Sequence, residues 1–328
     1  MAKQEPFNRK AGGHVDFPEG TGGITGMCAL GGKYACLEIY KVDAFMRVKM
    51  ADQIDPENKT PSLKHSRQVH TEYGSQNEIL ARILLQADKF AGMAGLSGDE
   101  EANFLAVVRG ATEELISAQS LFIELKEEVA SKNAMTHEEP TMISVPSVKR
   151  LDARSKEFID HAKAYLNKVM EAINFLTGEK FSDAFFHKTK EWAEKTHGKD
   201  DILTKVLDHY GLFLKLVIDL RNASEHRNHF LTLKVENFKM DENGVLKKPT
   251  ISLKGTDTKQ NIDYNIDQDL CESFAQMMEK LVSFGELTLV ATMSKRFHEK
   301  LPWSIVKIPK DKINPEVPIQ YQMTMKFQ

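Results

Sequence analysis

The chain is poor in the features that mark secreted, metal-stapled and membrane proteins. It has three cysteines in 328 residues, Cys28, Cys36 and Cys271. The number is odd and no pair has a Cys-x-x-Cys spacing, which excludes a disulfide framework and a cysteine-based zinc site. The most apolar stretch is broken by Lys215 and Asp219, so the roughly 20 apolar residues of a membrane-spanning helix are not found. The opening MAKQEPFNRK lacks the apolar core of a secretory leader. These absences predict a cytoplasmic protein with no membrane partner. A net charge of -3 and a pI near 6.4 give no overall basic footprint, so any nucleic acid must be held by a local patch. There is no Gly-x-Ser-x-Gly, no His-Glu-x-x-His and no carboxylate cluster spaced for two metals. Triad chemistry and metal-assisted hydrolysis therefore have no motif, and neither cofactor nor metal ligand is predicted.

What is there suffices for a core: 41% of the residues are hydrophobic, in a chain long enough for two domains or for one with a large insertion. Met1 to Gly32 is rich in glycine and reads as a turn-rich arm. Its segment GMCALGGK, Gly26 to Lys33, has one residue too many before the lysine for a phosphate loop, and Tyr34 stands where Ser or Thr would bind magnesium. Leu37 to Met50 alternates in part and predicts one strand with a bulge between Ile39 and Val42. Asp52 to Tyr73 is polar and turn-rich, with His65 and His70 as surface histidines. Apolar residues from Ile79 to Phe90 mark a helix. A second helix opens at Ser97, with Glu100 at capping-box spacing, and its seam runs from Phe104 to Val129.

Ser131 to Lys149 carries Pro140 and Pro146 and reads as a linker, giving an N-terminal part of arm, strand and helical hairpin (1–135) and a second domain (147–328). In that domain Phe158 to Leu176 predicts an amphipathic helix and Ser182 to Trp192 a short aromatic one. Leu203, Val206, Leu207, Tyr210, Leu214 and Val217 share one stripe of the next, capped by Asp200 or Asp201. The period then changes to two. Leu231, Leu233 and Val235, the turn Asn243-Gly244, and Ile251 with Leu253 predict a hairpin, followed by a short strand through Ile262, Tyr264 and Ile266. Asp267 is placed to cap a long helix from Leu270 to Thr288. Ile319 to Gln328 alternates throughout and predicts a half-buried strand, with the Leu231–Leu253 hairpin or the strand near Val42 as its partner.

The chemistry-bearing stretch is LFLKLVIDLRNASEHRN, Leu212 to Asn228, an apolar helix that gives way to Arg221, Asn222, Ser224, Glu225, His226 and Arg227. On a continuing helix Asn222 and His226 share one face and Arg221 and Glu225 the neighbouring one. Arg221, then four residues, then His226, with polar Asn222 after the arginine at the end of an apolar helix, resembles the motif of the HEPN superfamily. The same spacing occurs at Arg9–His14 and Arg154–His161, but neither pair closes a buried helix.

The resemblance implies a helical bundle of HEPN type; with the period-two stretches above, the expectation is a mainly α protein whose bundle carries a small antiparallel β insertion and a C-terminal strand. It further implies a homodimer in which the motif arginine and histidine line one cleft. Its implied activity is metal-independent cleavage of RNA through the 2'-hydroxyl. His226 would move the proton, Arg221 would stabilise charge on phosphorus and Asn222 would orient them. Arg227 and Lys234, close to Phe230 and Phe238, would hold the RNA. Two alternatives stay open at this point. One is a non-catalytic module of the same kind that binds a nucleotide or a protein. The other is a purely structural helix C-terminus, where Arg221, His226 and Arg227 complement the macrodipole.

Overall fold

The computed structural model describes residues 24–29, 36–50, 54–60, 63, 65–134, 138–139, 142–182, 186–225, 230–257, 261–297 and 303–325. In chain order the main elements are strands β1 (Gly26–Ala29), β2 (Cys36–Ile39), β3 (Ala44–Met50) and β4 (His65–Thr71), then helices α1 (Gln86–Ala91), α2 (Asp99–Ala134), α3 (Leu151–Thr177), α4 (His187–His197) and α5 (Ile202–Glu225). Strands β5 (Leu231–Glu236), β6 (Thr250–Asp257) and β7 (Ile262–Asp269) follow, then α6 (Leu270–Ser294), β8 (Trp303–Lys307) and β9 (Tyr321–Met325). The chain is thus mixed α/β, which corrects the expectation of a mainly helical bundle. By Cα proximity it divides into two compact units, residues 1–109 with 175–177 and 289–328, and residues 110–174 with 178–288. No helix among the described residues is long and apolar enough to cross a membrane.

The first unit holds most of the strand that the sequence concealed. Its sheet runs β1-β2-β3-β4, antiparallel throughout. The predicted bulge at Ile39–Val42 is instead a hairpin turn, closed by the Tyr40 amide on the Asp43 carbonyl at 2.9 Å. Gly74 fits here because a Cβ would come within 2.3 Å of the Tyr40 carbonyl oxygen. The polar stretch after Asp52 contains β4. The C-terminal strand β9 exists, but it pairs with β8, which neither expected partner includes.

A short π-helical segment, Leu80–Leu85, leads into α1. Its neighbour Gln86 is buried, and its side chain bridges to the β8–β9 hairpin. The amide oxygen accepts from the backbone nitrogens of Gln320 (3.1 Å) and Tyr321 (2.8 Å), and the amide nitrogen donates to the Tyr321 carbonyl (3.0 Å). Arg296 closes the other side, donating to the carbonyls of Ala94 and Leu176 and pairing with Glu100. Burial and the neighbouring Asp88 carboxylate push the Cys28 thiol pKa up, and burial raises Asp88 to about 6.

In the second unit the helical expectations largely stand. Along α3 the residues Phe158, Ala162, Leu166, Val169 and Ile173 are all buried, as the spacing requires. Phe158 stacks on Phe274 of α6 at 3.9 Å, and the Tyr165 hydroxyl donates to the Leu281 carbonyl at 3.2 Å. Asp201 caps α5 by accepting the Leu203 amide at 2.9 Å. The cap of α6 is Asp269, which accepts the Glu272 amide, because β7 continues two residues past Asp267.

The sheet of this unit has the order β7-β6-β5, with Leu253 between Ile266 and Leu233. Gly255 allows the close approach of β5. Its φ is +124°, and a Cβ there would meet the Phe230 carbonyl oxygen at 2.1 Å.

Replacing Gln86 with Leu strands one buried carbonyl and two amides. We expect the Tyr321 amide to exchange with solvent about tenfold faster or more. An unchanged exchange rate would remove Gln86 from this role.

Candidate functional site

The apolar run that ends in the motif buries charge along with its apolar side chains. Leu214, Val217, Ile218 and Leu220 are buried, but Leu212 is 77% exposed while Lys215 and Asp219 lie inside. These two residues, spaced i,i+4, form an ion pair with side chains only 6% and 3% exposed. The Lys215 Nζ also lies 2.5 Å from a carboxylate oxygen of Asp257, the last residue of β6. The Tyr264 hydroxyl, on β7, donates to Asp219 at 2.7 Å. Burial, then the Asp219 carboxylate, holds that hydroxyl protonated well above the usual tyrosine range. One ammonium, two carboxylates and one phenol thus satisfy each other where none could be buried alone.

One turn further along α5 stand the motif residues. Arg221 Nη1 contacts Glu225 at 2.5 Å, the i,i+4 pair that the spacing predicts, and its Nε lies 3.9 Å from Asp160 on α3. Asn222 is half-buried in the same last turn. His226 and Arg227 lie outside the described residues, so the structure gives no Arg221–His226 distance. Lys234 is on β5, exposed, with its ammonium 2.8 Å from Glu236. That carboxyl is held down to about 2 by hydrogen bonds from Lys234 and Lys239.

The sequence reading missed Lys163. It sits on α3 three residues after Asp160, donating to Asn167 at 2.6 Å. Burial, then the positive charge of Arg221, lowers its pKa to about 8. Asp160 is shifted the other way, upward, by burial and the Glu225 charge. Nearby, His161 Nδ1 and Glu114 are 2.7 Å apart. The mouth of α5 therefore carries Arg221 and Lys163 with Asp160 and Glu225. A lysine at i+3 from an aspartate on a polar helix face was the only available signal, and such pairs are common on surfaces.

A groove lies beside this helix, between α5, α6 and the β6–β7 side of the sheet. Phe213, Leu216, Leu220, Ile251, Leu253, Ile266 and Met277 give it apolar walls around about 160 Å³. No group of three or more His, Cys, Asp or Glu among the described residues is arranged to hold a metal ion. Comparison of the chain with protein-family models, with curated proteins and with solved structures finds no match.

Two measurements test these electrostatics. Lys215→Met leaves two buried carboxylates without their cation and should cost roughly 3 to 5 kcal/mol in urea denaturation. A loss below about 1 kcal/mol would show that the pair is not buried in solution. Lys163 titrates lower in the folded than in the unfolded chain, so the unfolded state binds the extra proton. Stability should rise from about pH 8 toward the ordinary lysine value of 10.5. That rise should be absent in Lys163→Met.

Proposed function

We propose that the mouth of α5 binds a phosphodiester and that the protein is a metal-independent endoribonuclease. In this reading it is cytoplasmic and works as a homodimer, as the HEPN-like Arg221-x4-His226 spacing implies. The observation that supports it is that Lys163, on the helix whose Asp160 lies 3.9 Å from the Arg221 guanidinium, has its pKa lowered by burial and then by the Arg221 charge. Two cations that feel each other each raise the cost of the other's charge, and an anion bound beside them relieves that cost. Phosphate suits the planar fork of a guanidinium.

In the proposed reaction the substrate's 2'-oxygen attacks phosphorus as His226 takes its proton. The 5'-oxygen leaves with a proton taken from water, the His226 imidazolium then releases its own to solvent, and Arg221 carries the charge that builds on the non-bridging oxygens. The products are a 2',3'-cyclic phosphate and a 5'-hydroxyl. Asn222 orients the reacting groups, and Arg227 and Lys234 contact flanking phosphates.

The 2.5 Å contact with Glu225 favours a second reading. There the guanidinium has its carboxylate already, the cluster fastens α5 to α3, and the protein binds a nucleotide or a partner without cleaving it.

RNA cleavage by wild type, His226→Ala and Arg221→Ala separates the two. We expect wild-type cleavage to persist in EDTA, to leave the cyclic phosphate and to spare an all-deoxy strand. Each variant should lose about 100- to 10,000-fold in rate. Equal rates in all three folded proteins, or no cleavage of several RNAs by any, would leave the second reading.

A further inference from the structure

We propose that the free edge of β7 takes up an extended peptide of basic-apolar-basic pattern from a partner protein, adding a fourth strand to the β7-β6-β5 sheet. β7 is eight residues long, and among the described residues it pairs on one side only, with β6. Such an edge presents a row of backbone donors and acceptors to an incoming strand, at a spacing of about 4.8 Å.

The two faces of β7 state what that strand must carry. Ile262, Tyr264, Ile266 and Gln268 alternate onto the helix-covered face, in register with Leu253 and Ile251 of β6. Beside Ile266 and Gln268 opens the 160 Å³ apolar groove, lined also by Ser273, Gln276 and Lys280 of α6, with the Lys280 ammonium 5.5 Å from the centre of the Phe213 ring. An apolar cavity of that size holds about one benzene-sized group. An added strand would project one side chain of this face beneath the sheet toward the groove, and an apolar one of leucine size fits.

The opposite face is acidic along the edge: Asp263, Asn265 and Asp267, all exposed. Asp263 accepts from Thr256 at 3.0 Å. Lys254 stands across from Asn265 on β6, and Lys239 is near enough for Asp267 to favour its charge. Two aspartates, four residues apart, remain on the outermost strand, where directly facing residues have Cβ atoms about 5 Å apart. Facing lysines or arginines satisfy them when they too are four residues apart, with the apolar residues of the groove-facing side between them.

The same aspartates exclude the other occupants. A second copy paired antiparallel about Asn265 would set Asp263 against Asp267, and RNA would meet both carboxylates. The proposal is independent of the chemistry at the mouth of α5.

The test uses the full chain and labelled eight-residue peptides centred on Lys-Leu-Ser-Leu-Lys, Glu-Leu-Ser-Leu-Glu or Lys-Ala-Ser-Ala-Lys, followed by fluorescence anisotropy. The Lys-Leu-Ser-Leu-Lys peptide should bind more tightly than the other two, by about tenfold or more, and its affinity should fall with added salt. Asp263→Lys with Asp267→Lys, both exposed positions, should invert the preference toward Glu-Leu-Ser-Leu-Glu. Indifference to peptide charge, or no binding of any peptide, would overturn the proposal. So would a wild-type dimer, seen by sedimentation, that the double lysine variant loses.

Discussion

Much of the second unit depends on one buried arrangement, the ammonium of Lys215 held between Asp219 and Asp257. A lysine sealed into an apolar core is untenable alone, and so is either carboxylate. Meeting the requirement takes groups from three elements: α5 supplies Lys215 and Asp219, β6 supplies Asp257, and Tyr264 of β7 donates its hydroxyl to Asp219. The requirement therefore fixes which strand ends lie against which turn of α5. Apolar packing alone tolerates sliding and repacking, whereas a lysine with two specified acceptors admits far fewer registers. Gly255, two residues before Asp257, lets β5 come in close at the same place. Arg221 follows Asp219 by two residues, so the direction in which the motif leaves the helix is set by the same buried charges.

The sequence displayed this arrangement without revealing it. Lys215 and Asp219 are legible as an interruption of an apolar run, and they stand at the spacing of an ion pair. What the spacing cannot say is which side of the helix faces inward, since Asp257 comes from a strand more than thirty residues on. For the same reason the apolar run does not show that Leu212 points outward while a charged pair points in. Periodicity served well where one face decides the energetics, as in α3 and in β5 to β7. It served poorly at Tyr40–Asp43, where a valine at the turn tip continued the apparent alternation and no Gly or Asn-Gly marked the reversal. The strand HSRQVHT lacks an apolar rhythm, and as β4 it sits at the edge of its sheet. Arg221 and its pairing with Glu225 could be read from spacing. Lys163 could not, because its lowered pKa arises from burial beside another helix's arginine.

The two surfaces of this unit carry fields of different character, and this bears on what each can bind. At the mouth of α5 cations and carboxylates alternate, so an incoming anion must compete with Glu225 and Asp160 for Arg221. That competition lowers affinity, yet it also keeps the guanidinium ordered before a ligand arrives, which reduces the entropy lost on binding. Glu225 is more than a third exposed, and an exposed ion pair is worth at most about 1 kcal/mol, so a phosphodiester can displace it. Along β7 the outward face carries two carboxylates, Asp263 and Asp267, on either side of neutral Asn265, and it offers a polyanion no guanidinium. Nucleic acid approaching this unit would therefore be turned away from β7 and accepted, if anywhere, near Arg221, Lys163 and Lys234. A basic strand would be steered the opposite way. Sign alone sorts the two classes of ligand between the two surfaces, and since neither field is screened completely within about 8 Å at physiological salt, the sorting begins before contact.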